Sequence, residues 1–515
     1  MHVDARKLDN DALIEGDICI IGAGPVGISI ALDLMDTGYK VILLEGGGFE
    51  YDDKVQELYA GKTTGQQYYP LKSARLHYFG GTSGHWGGMC TPLDPIDFLK
   101  RDWIPYSGWP INKQTLDPYY ARAQQKVELG PYEYELEYWQ NHSKELKPLP
   151  FDNTVVWNKI WQFSPPTRFG EKYKSTIVNA ANIHLYTYAN VIDIESNENV
   201  SEITSATISN FSGKKQKVKA RQFIMACCSI QNARLLLASN KQAPNGLGNE
   251  NDLVGRYFME HLEIKSAEIY LNHSDPLNLY KLNPPQVRAE LAISADKQKE
   301  YKILNGTASL LPLEIARKQA PNIATWDSKD PREAMKSLEK SQKVSKMDKL
   351  LLKLTNDIYT SYELFTRIEQ SPNPNSRVSL STEKDELGMY RATLNWELLP
   401  LDKYSIRTMY KLIGEQAGLA GIGRLRMMEY LHDGKDFTWP KSTGAGWHHM
   451  GTTRMSDDPK TGVVDADCKI HSISNLYMAG ASCFATAGAA NPTLTAIALG
   501  LRVSDKVRDR IKNNV

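Results

Sequence analysis

Two stretches of this sequence hold residues whose types and spacing could do chemistry. GWHHMGTTRMS, residues 446–456, places His448 and His449 side by side ahead of a Gly-Thr pair. A neutral imidazole accepts a proton near neutral pH, so either ring could be the base that strips a hydroxyl. Two packed core histidines are the plainer alternative. GAGPVG, residues 22–27, spaces Gly22, Gly24 and Gly27 as a phosphate-cradling turn requires.

That turn needs a strand before it and a helix after it. DICIIG, residues 17–22, reads as a buried parallel strand, and ISIALDLMDTG as a helix. KVILLEGG gives a second strand ending at Glu45, 18 residues after Gly27. Gly22 permits the tight turn, Gly24 lets backbone approach a pyrophosphate, and Gly27 lets helix and strand pack closely. The helix N-terminus supplies amide donors, and an acid at the position of Glu45 accepts from a ribose 2′-hydroxyl. A glycine-rich turn in an empty α/β domain is the competing interpretation. The acid disfavours a 2′-phosphate; NAD and FAD both fit.

RLHYFGGTSGHWGGMC, residues 75–90, adds Gly80, Gly81, Gly84, Gly87 and Gly88, a density that suits backbone pressed against a flat or phosphorylated group. With the cradle before it, this order of elements resembles the glucose–methanol–choline (GMC) family of FAD oxidoreductases. SGWPINKQTLDPYYARAQ, VKARQFIMACCSIQNARLLLAS, NDLVGRYFMEHLE and SPNPNSRVSLSTEKDELGMYRATLNWEL carry the likeness along the chain. It is strongest to the pyranose 2-oxidase branch and the related bacterial glycoside 3-oxidases. The resemblance implies that Gly80, Gly81, Thr82 and Ser83 lie against FAD. It also implies that His85, in SGHWGG, carries the flavin through its 8α-methyl carbon or packs against it. Gly84 stands where that branch has Thr.

The same resemblance orders the C-terminal stretch. NLYMAG returns as a strand and ANPTLTAIALGLRVSDKV opens as a helix with apolar positions at helical spacing. The family places Gly480 and Ala481 at the ribityl chain and Pro492 and Thr493 at the pyrimidine edge. Many relatives have Asp where Ala481 stands. Val191 completes the expected cofactor-binding set. The family's catalytic histidine lies three residues before the glycine of the Gly-Thr pair, which is His448, and its partner here is Asn491. An alcohol would then give a hydride to flavin N5 and its hydroxyl proton to His448, with Asn491 steering the oxygen. His449 becomes a neighbour that packs or hydrogen-bonds.

These elements predict an α/β protein, α+β overall. A discontinuous Rossmann-like FAD-binding domain would span residues 1–110, 180–260 and 445–515. A substrate domain of 111–179 and 261–444 would carry a mainly antiparallel sheet with flanking helices. KSAEIYLNHS and NSRVSLS alternate like strands of one sheet roofing the flavin. Residues 331–365 look helical, with Lys336, Lys340, Lys343, Lys346, Lys349 and Lys353 on one basic face, either solvated or a docking surface for an acidic redox partner or a membrane headgroup.

The length of 515 residues, 41% hydrophobic and 23% charged, suits a folded chain of two or more lobes. With 61 basic against 60 acidic residues, nothing overall favours a nucleic-acid partner. Six scattered cysteines form neither a disulfide framework nor a metal site, so no metal is expected. The polar N-terminus lacks an apolar signal region, which points to the cytoplasm unless a partner carries the chain out. The stretch 18–35 is broken by Gly-Pro and Asp33, so no membrane span is expected. The expected substrate is a sugar or glycoside oxidised at a secondary ring hydroxyl, C2 or C3. The reduced flavin would pass its electrons to oxygen or another acceptor, with a homo-oligomer or redox partner compatible. Alternatives are a dehydrogenase serving a quinone, a cytochrome or a partner subunit, and a lyase with a non-redox flavin. A second GxGxxG for an NAD(P)H donor is not found.

Overall fold

Ile18–Ile21 and Val41–Leu44 are apolar on both faces and fully buried, and burial of both faces is what a central parallel strand requires. They sit in the middle of a six-stranded parallel sheet in the computed structural model, which describes residues 1–272, 277–281, 287–313 and 360–513. The spatial order is His2–Asp4, Ile183–Thr187, Val41–Leu44, Ile18–Ile21, Gln222–Met225, Leu476–Met478. The chain leaves Ile18–Ile21 toward one side first and returns later on the other. The strand order therefore reverses there, which is where doubly wound sheets bind ligands beyond their strand ends. The helices Pro25–Asp33 and Pro492–Lys512 both open on proline, whose fixed φ suits a first helical turn. They cross closely: a Cβ on Gly500 would stand 2.7 Å from Val26 Cγ1.

A second, antiparallel sheet lies over this layer. Its strands run Gly423–Met427, His261–Leu271, Ser361–Glu369, Gly306–Pro312, Val287–Ile293, Val156–Phe163 and Met89–Cys90, with Gly444–Ala445 pairing His261–Leu271. Helix Pro400–Leu419 backs it; Tyr410 Oη and Thr366 Oγ1 are 2.8 Å apart. A four-stranded sheet of Leu13–Glu15, Lys215–Lys219, Ile203–Ser209 and Asn190–Ser196 flanks the parallel layer. The expected α/β class, a parallel Rossmann-like layer with an antiparallel sheet, is what the chain forms.

Several local expectations are corrected. The KSAEIYL part of the first stretch, residues 265–271, falls on the long strand His261–Leu271, but NSRVSLS does not join it. It forms Arg377–Lys384 in a separate sheet with Tyr390–Trp396 and Gly61–Gly65. Alternation identified the strand and could not choose its neighbours. Residues 361–365, expected as the end of a helix, belong to Ser361–Glu369, where Tyr362, Leu364, Thr366 and Ile368 turn inward in strict alternation. The rest of that expected helix through residue 359, with its six lysines, lies outside the described residues. The polar start of the chain is an edge strand, His2–Asp4, anchored by the Met1 ammonium on the Ile183 carbonyl at 2.8 Å.

One ion pair ties the layers together. Arg101 and Glu369 are both buried and meet bidentately, at 2.5 and 3.0 Å. The same carboxylate accepts the amides of Asn305 at 2.8 Å and Gly488 at 3.2 Å. Removing one partner of such a pair strands a buried charge, at a cost of about 3–5 kcal/mol. Glu369→Ala is therefore expected to lower unfolding stability by about that much, and an Arg101→Met/Glu369→Leu double variant to recover much of it, measured by denaturant unfolding.

Candidate active site

The turn after Ile18–Ile21 is built for a ligand. Gly22 has φ +104°, and a Cβ there would stand 2.8 Å from the Ala226 carbonyl oxygen. A Cβ on Gly27 would come within 1.9 Å of the Gly22 carbonyl oxygen, so helix and strand touch through that glycine. Gly24 differs. Its backbone is extended and nothing lies within 4 Å of a Cβ built on it, so that space belongs to the cavity. Glu45 is buried at the end of Val41–Leu44 and accepts the amides of Ala23 at 3.2 Å and Gly47 at 2.9 Å. Burial pushes its carboxyl above the usual range, against the pull of those amides.

The second glycine loop closes on the first. The Gly80 amide donates to the Ala23 carbonyl at 2.8 Å, and a Cβ on Gly81 would be 3.1 Å from Gly24 Cα. Ser83 spends its hydroxyl on the fold, donating to the Gly80 carbonyl at 2.6 Å and accepting from the Phe169 amide at 3.1 Å. His85 stands over Trp447, ring centroids 5.3 Å apart. Both its ring nitrogens are buried with no hydrogen-bond partner, and burial holds its pKa down to about 3. The ring is therefore neutral, with a lone pair turned to nothing in the protein.

One cavity runs along these parts. Gly22, Gly24, Glu45, Gly81, Thr82, Ser83, Val191, Gly480, Ala481, Pro492 and Thr493 line it, and so do Trp447, His448 and His449. Gly27, Gly80, His85 and Asn491 are not among the residues that line it. Cys227 and Cys228, with φ +68° at Cys228, add a second strand-to-helix junction to the same wall, ahead of helix Ser229–Ala238. Glycines without room for a side chain, one glycine facing open space, a buried acid and an orphaned imidazole suit a flat dinucleotide such as FAD.

The two histidines part company in three dimensions. His449 is buried; its Nε2 lies 2.8 Å from Tyr68 Oη, and burial holds its pKa near about 3. His448 keeps part of its surface on the cavity. Trp447 before it has φ +59°, a left-handed conformation costly for a bulky residue and often found at functional turns. Asn491 stands at the N-cap position of the last helix but makes no capping bond. Its Nδ2 donates to the Met89 carbonyl at 3.2 Å, and its Oδ1 is buried without a partner.

Two residues that the sequence did not single out, Glu260 and His261, hold His448. Its amide donates to Glu260 Oε2 at 2.8 Å, and the His261 amide donates to the same oxygen at 3.2 Å. Glu260 is fully buried, which raises its pKa to about 8. His448 Nδ1 lies 2.9 Å from His261 Nδ1, and His261 Nε2 lies 2.8 Å from the Gly488 carbonyl oxygen. Burial lowers both imidazoles well below their ordinary range, and the Arg367 cation adds to it. The sequence signal was present in EHLE, but on a strand alternation alone gives each residue a face and no partner.

A family model described as GMC oxidoreductase matches residues 372–500, and one described as FAD dependent oxidoreductase matches residues 17–243. The chain is 24% identical to a 2-methyl-1,2-propanediol dehydrogenase from Mycolicibacterium austroafricanum, over 97% of this chain and 96% of that one. It is 24% identical to a fructose dehydrogenase large subunit from Gluconobacter japonicus, over 98% and 100%. The expected pyranose 2-oxidase likeness is local: 39% identity to the enzyme of Tricholoma matsutake spans 64 residues, 12% of this chain and 11% of that one. The fold is similar to that of a pyridoxine 4-oxidase from Mesorbium loti, with TM-score 0.53, 15% identity, and 95% and 98% of the two chains covered.

The two glycines separate binding from folding. Gly24→Val is expected to leave the melting temperature of the apoprotein unchanged while weakening FAD binding about 10- to 100-fold, the equivalent of about 1–3 kcal/mol of overpacking. Gly27→Val is expected to lower the melting temperature itself. FAD titration and thermal melts of both variants check this.

Proposed function

Because the chain belongs to the FAD-dependent GMC oxidoreductases, which oxidise alcohol carbons, we propose that it oxidises a secondary ring hydroxyl of a sugar or glycoside to a ketone, with His448 as the base. The observation that carries the base assignment is the contrast between the two histidines on the wall that also carries the glycine cradle: His448 is half-buried, whereas His449 is buried against Tyr68. The sugar assignment draws on the full-length likeness to a fructose dehydrogenase large subunit and the local likeness to a pyranose 2-oxidase.

Gly22, Gly24 and Glu45 would hold the adenosine diphosphate part of FAD, with Val191 beside it. The 80–83 loop, His85, Gly480, Ala481, Pro492 and Thr493 would hold the flavin part. When bound, FAD supplies the hydride acceptor. The protein's work is then to take the hydroxyl proton and to fix the alcohol. His448 is kept neutral by burial and Arg367, so its ring has a lone pair for that proton. Asn491 uses one amide hydrogen on Met89 and retains a second for the substrate oxygen.

A dehydrogenase reading of the same site draws on the names of two full-length relatives, each a dehydrogenase, while two others matched over similar lengths are named oxidases. Anaerobic addition of monosaccharides and glycosides is expected to bleach the flavin absorbance with at least one of them. In air, hydrogen peroxide in proportion to product identifies an oxidase, and dye reduction without peroxide a dehydrogenase. Bleaching by simple diols and by no sugar overturns the sugar assignment.

His448→Ala is expected to slow flavin reduction about 10²- to 10⁴-fold. The working form of the base is unprotonated, and its pKa is lowered by the fold. Activity is thus present above that pKa and lost as pH falls through it. kcat/KM is expected to stay level through neutrality, with an acid limb below the ordinary imidazole value of about 6.5; a limb centred above that value contradicts the assignment.

A further inference from the structure

We propose that His261 is a positioning residue that sets the tautomer of His448, keeping the His448 proton on Nδ1 and its lone pair on Nε2. This rests on His448 being the base. Gly488 anchors the arrangement. Its carbonyl oxygen can only accept, so the His261 Nε2 at 2.8 Å carries a hydrogen. A neutral imidazole has one N–H, so His261 Nδ1 is then a lone pair. His448 Nδ1, 2.9 Å away, must donate to it. One hydrogen remains to no other nitrogen of that ring, and His448 Nε2 is left bare. The rings meet edge to face, with centroids 4.9 Å apart and planes at 77°.

The surroundings hold this arrangement. Burial keeps both rings neutral, which the deduction requires. The charged and titratable groups around them come from three elements. Arg367, on Ser361–Glu369, disfavours a cation on either ring, and its Nε is paired with Glu263 Oε1 at 2.9 Å. Glu260 accepts both backbone amides, at 2.8 Å from His448 and 3.2 Å from His261. His449, next in the chain, adds to the lowering at His448. Gly488 is fixed in turn by its amide on Glu369 Oε2 at 3.2 Å. A Cβ on Gly446 would stand 2.5 Å from His448 Nδ1, so the chain before His448 leaves just enough room for the ring.

The consequence is directional. When the substrate O–H bond breaks, its proton forms a bond to His448 Nε2. The resulting imidazolium holds its Nδ1–H on His261 Nδ1, a stronger hydrogen bond than the neutral ring made. Without His261, the ring is free to place its single hydrogen on Nε2, where it blocks the reaction.

The test uses FAD-loaded enzyme, with anaerobic flavin reduction by the best substrate as the rate. His261→Leu removes the acceptor. His261→Asn keeps a carbonyl oxygen near the Nδ1 position. The expected result is a fall of about 10²-fold in reduction rate for Leu with KM within about threefold, and recovery by Asn to within about tenfold of the parent. A structural role alone gives no rescue by Asn and no such split. The tautomer is read directly from the imidazole 15N spectrum of histidine-labelled holoenzyme, with His448 assigned by its loss in His448→Ala. Expected is a bare Nε2 and a protonated Nδ1. A bare Nδ1 in the parent overturns the proposal, and that spectrum decides even if the Leu variant does not fold. A Leu variant reducing its flavin at the parent's rate also overturns it. If His448→Ala retains full rate, the base assignment fails instead. If His448→Ala is inactive while His261→Leu is not, only the tautomer claim fails.

Discussion

The buried Glu369 carboxylate is the constraint on which the rest of the site depends. Arg101 meets it from the loop after the short helix Pro95–Phe98, and the amides of Asn305 and Gly488 complete its acceptor sites. A carboxylate so deeply placed is tolerable only with a cation and several donors around it. Here those donors belong to segments far apart in sequence, so satisfying one charge fixes the antiparallel sheet against the loop that precedes the last helix. That loop carries the Gly488 carbonyl at its middle and Asn491 at its end.

A second buried carboxylate, Glu260, does the same for backbone. It takes the amides of His261 and His448 and the hydroxyl of Tyr68, which in turn reaches His449. Each of the two adjacent histidines thereby has a fixed place on the cavity wall: one ring buried against Tyr68, the other half-buried against His261. Glu260 is also raised toward protonation by the same burial that makes it an effective clamp. Both acids act at a distance from the chemistry. They decide where an imidazole points, and an imidazole misplaced by an ångström is a poor base.

The division of labour between the two layers follows. The parallel sheet offers strand ends and helix starts, which suit phosphate and ribose because backbone donors converge there. The antiparallel sheet offers long strands with alternating faces, which suit side chains held in register. His448 reaches the cavity from a segment that pairs with His261–Leu271 through Gly444–Ala445, so it is registered on the second layer while facing the first.

The cradle was readable because its rule is local: Gly22, Gly24 and Gly27 act within one turn, and Glu45 ends the next strand. The strand and helix periods around them were readable for the same reason. Residues 361–365 misled because a short amphipathic stretch satisfies either period until its neighbours choose. NSRVSLS announced a strand and not its partner, since pairing is a non-local decision. Likeness to a known family supplied His448 and Asn491, which composition and spacing alone did not. Glu260, His261 and Glu369 were invisible as functional residues. Each matters only through a hydrogen bond to a residue more than a hundred positions away, and a linear pattern has no term for such a contact. The sequence by itself thus determined which backbone could bind a dinucleotide, because that depends on residues adjacent along the chain. Only the tertiary structure decided which imidazole is buried against Tyr68, which stays half-buried at the cavity, and what orients it, because that depends on burying charges from distant segments together.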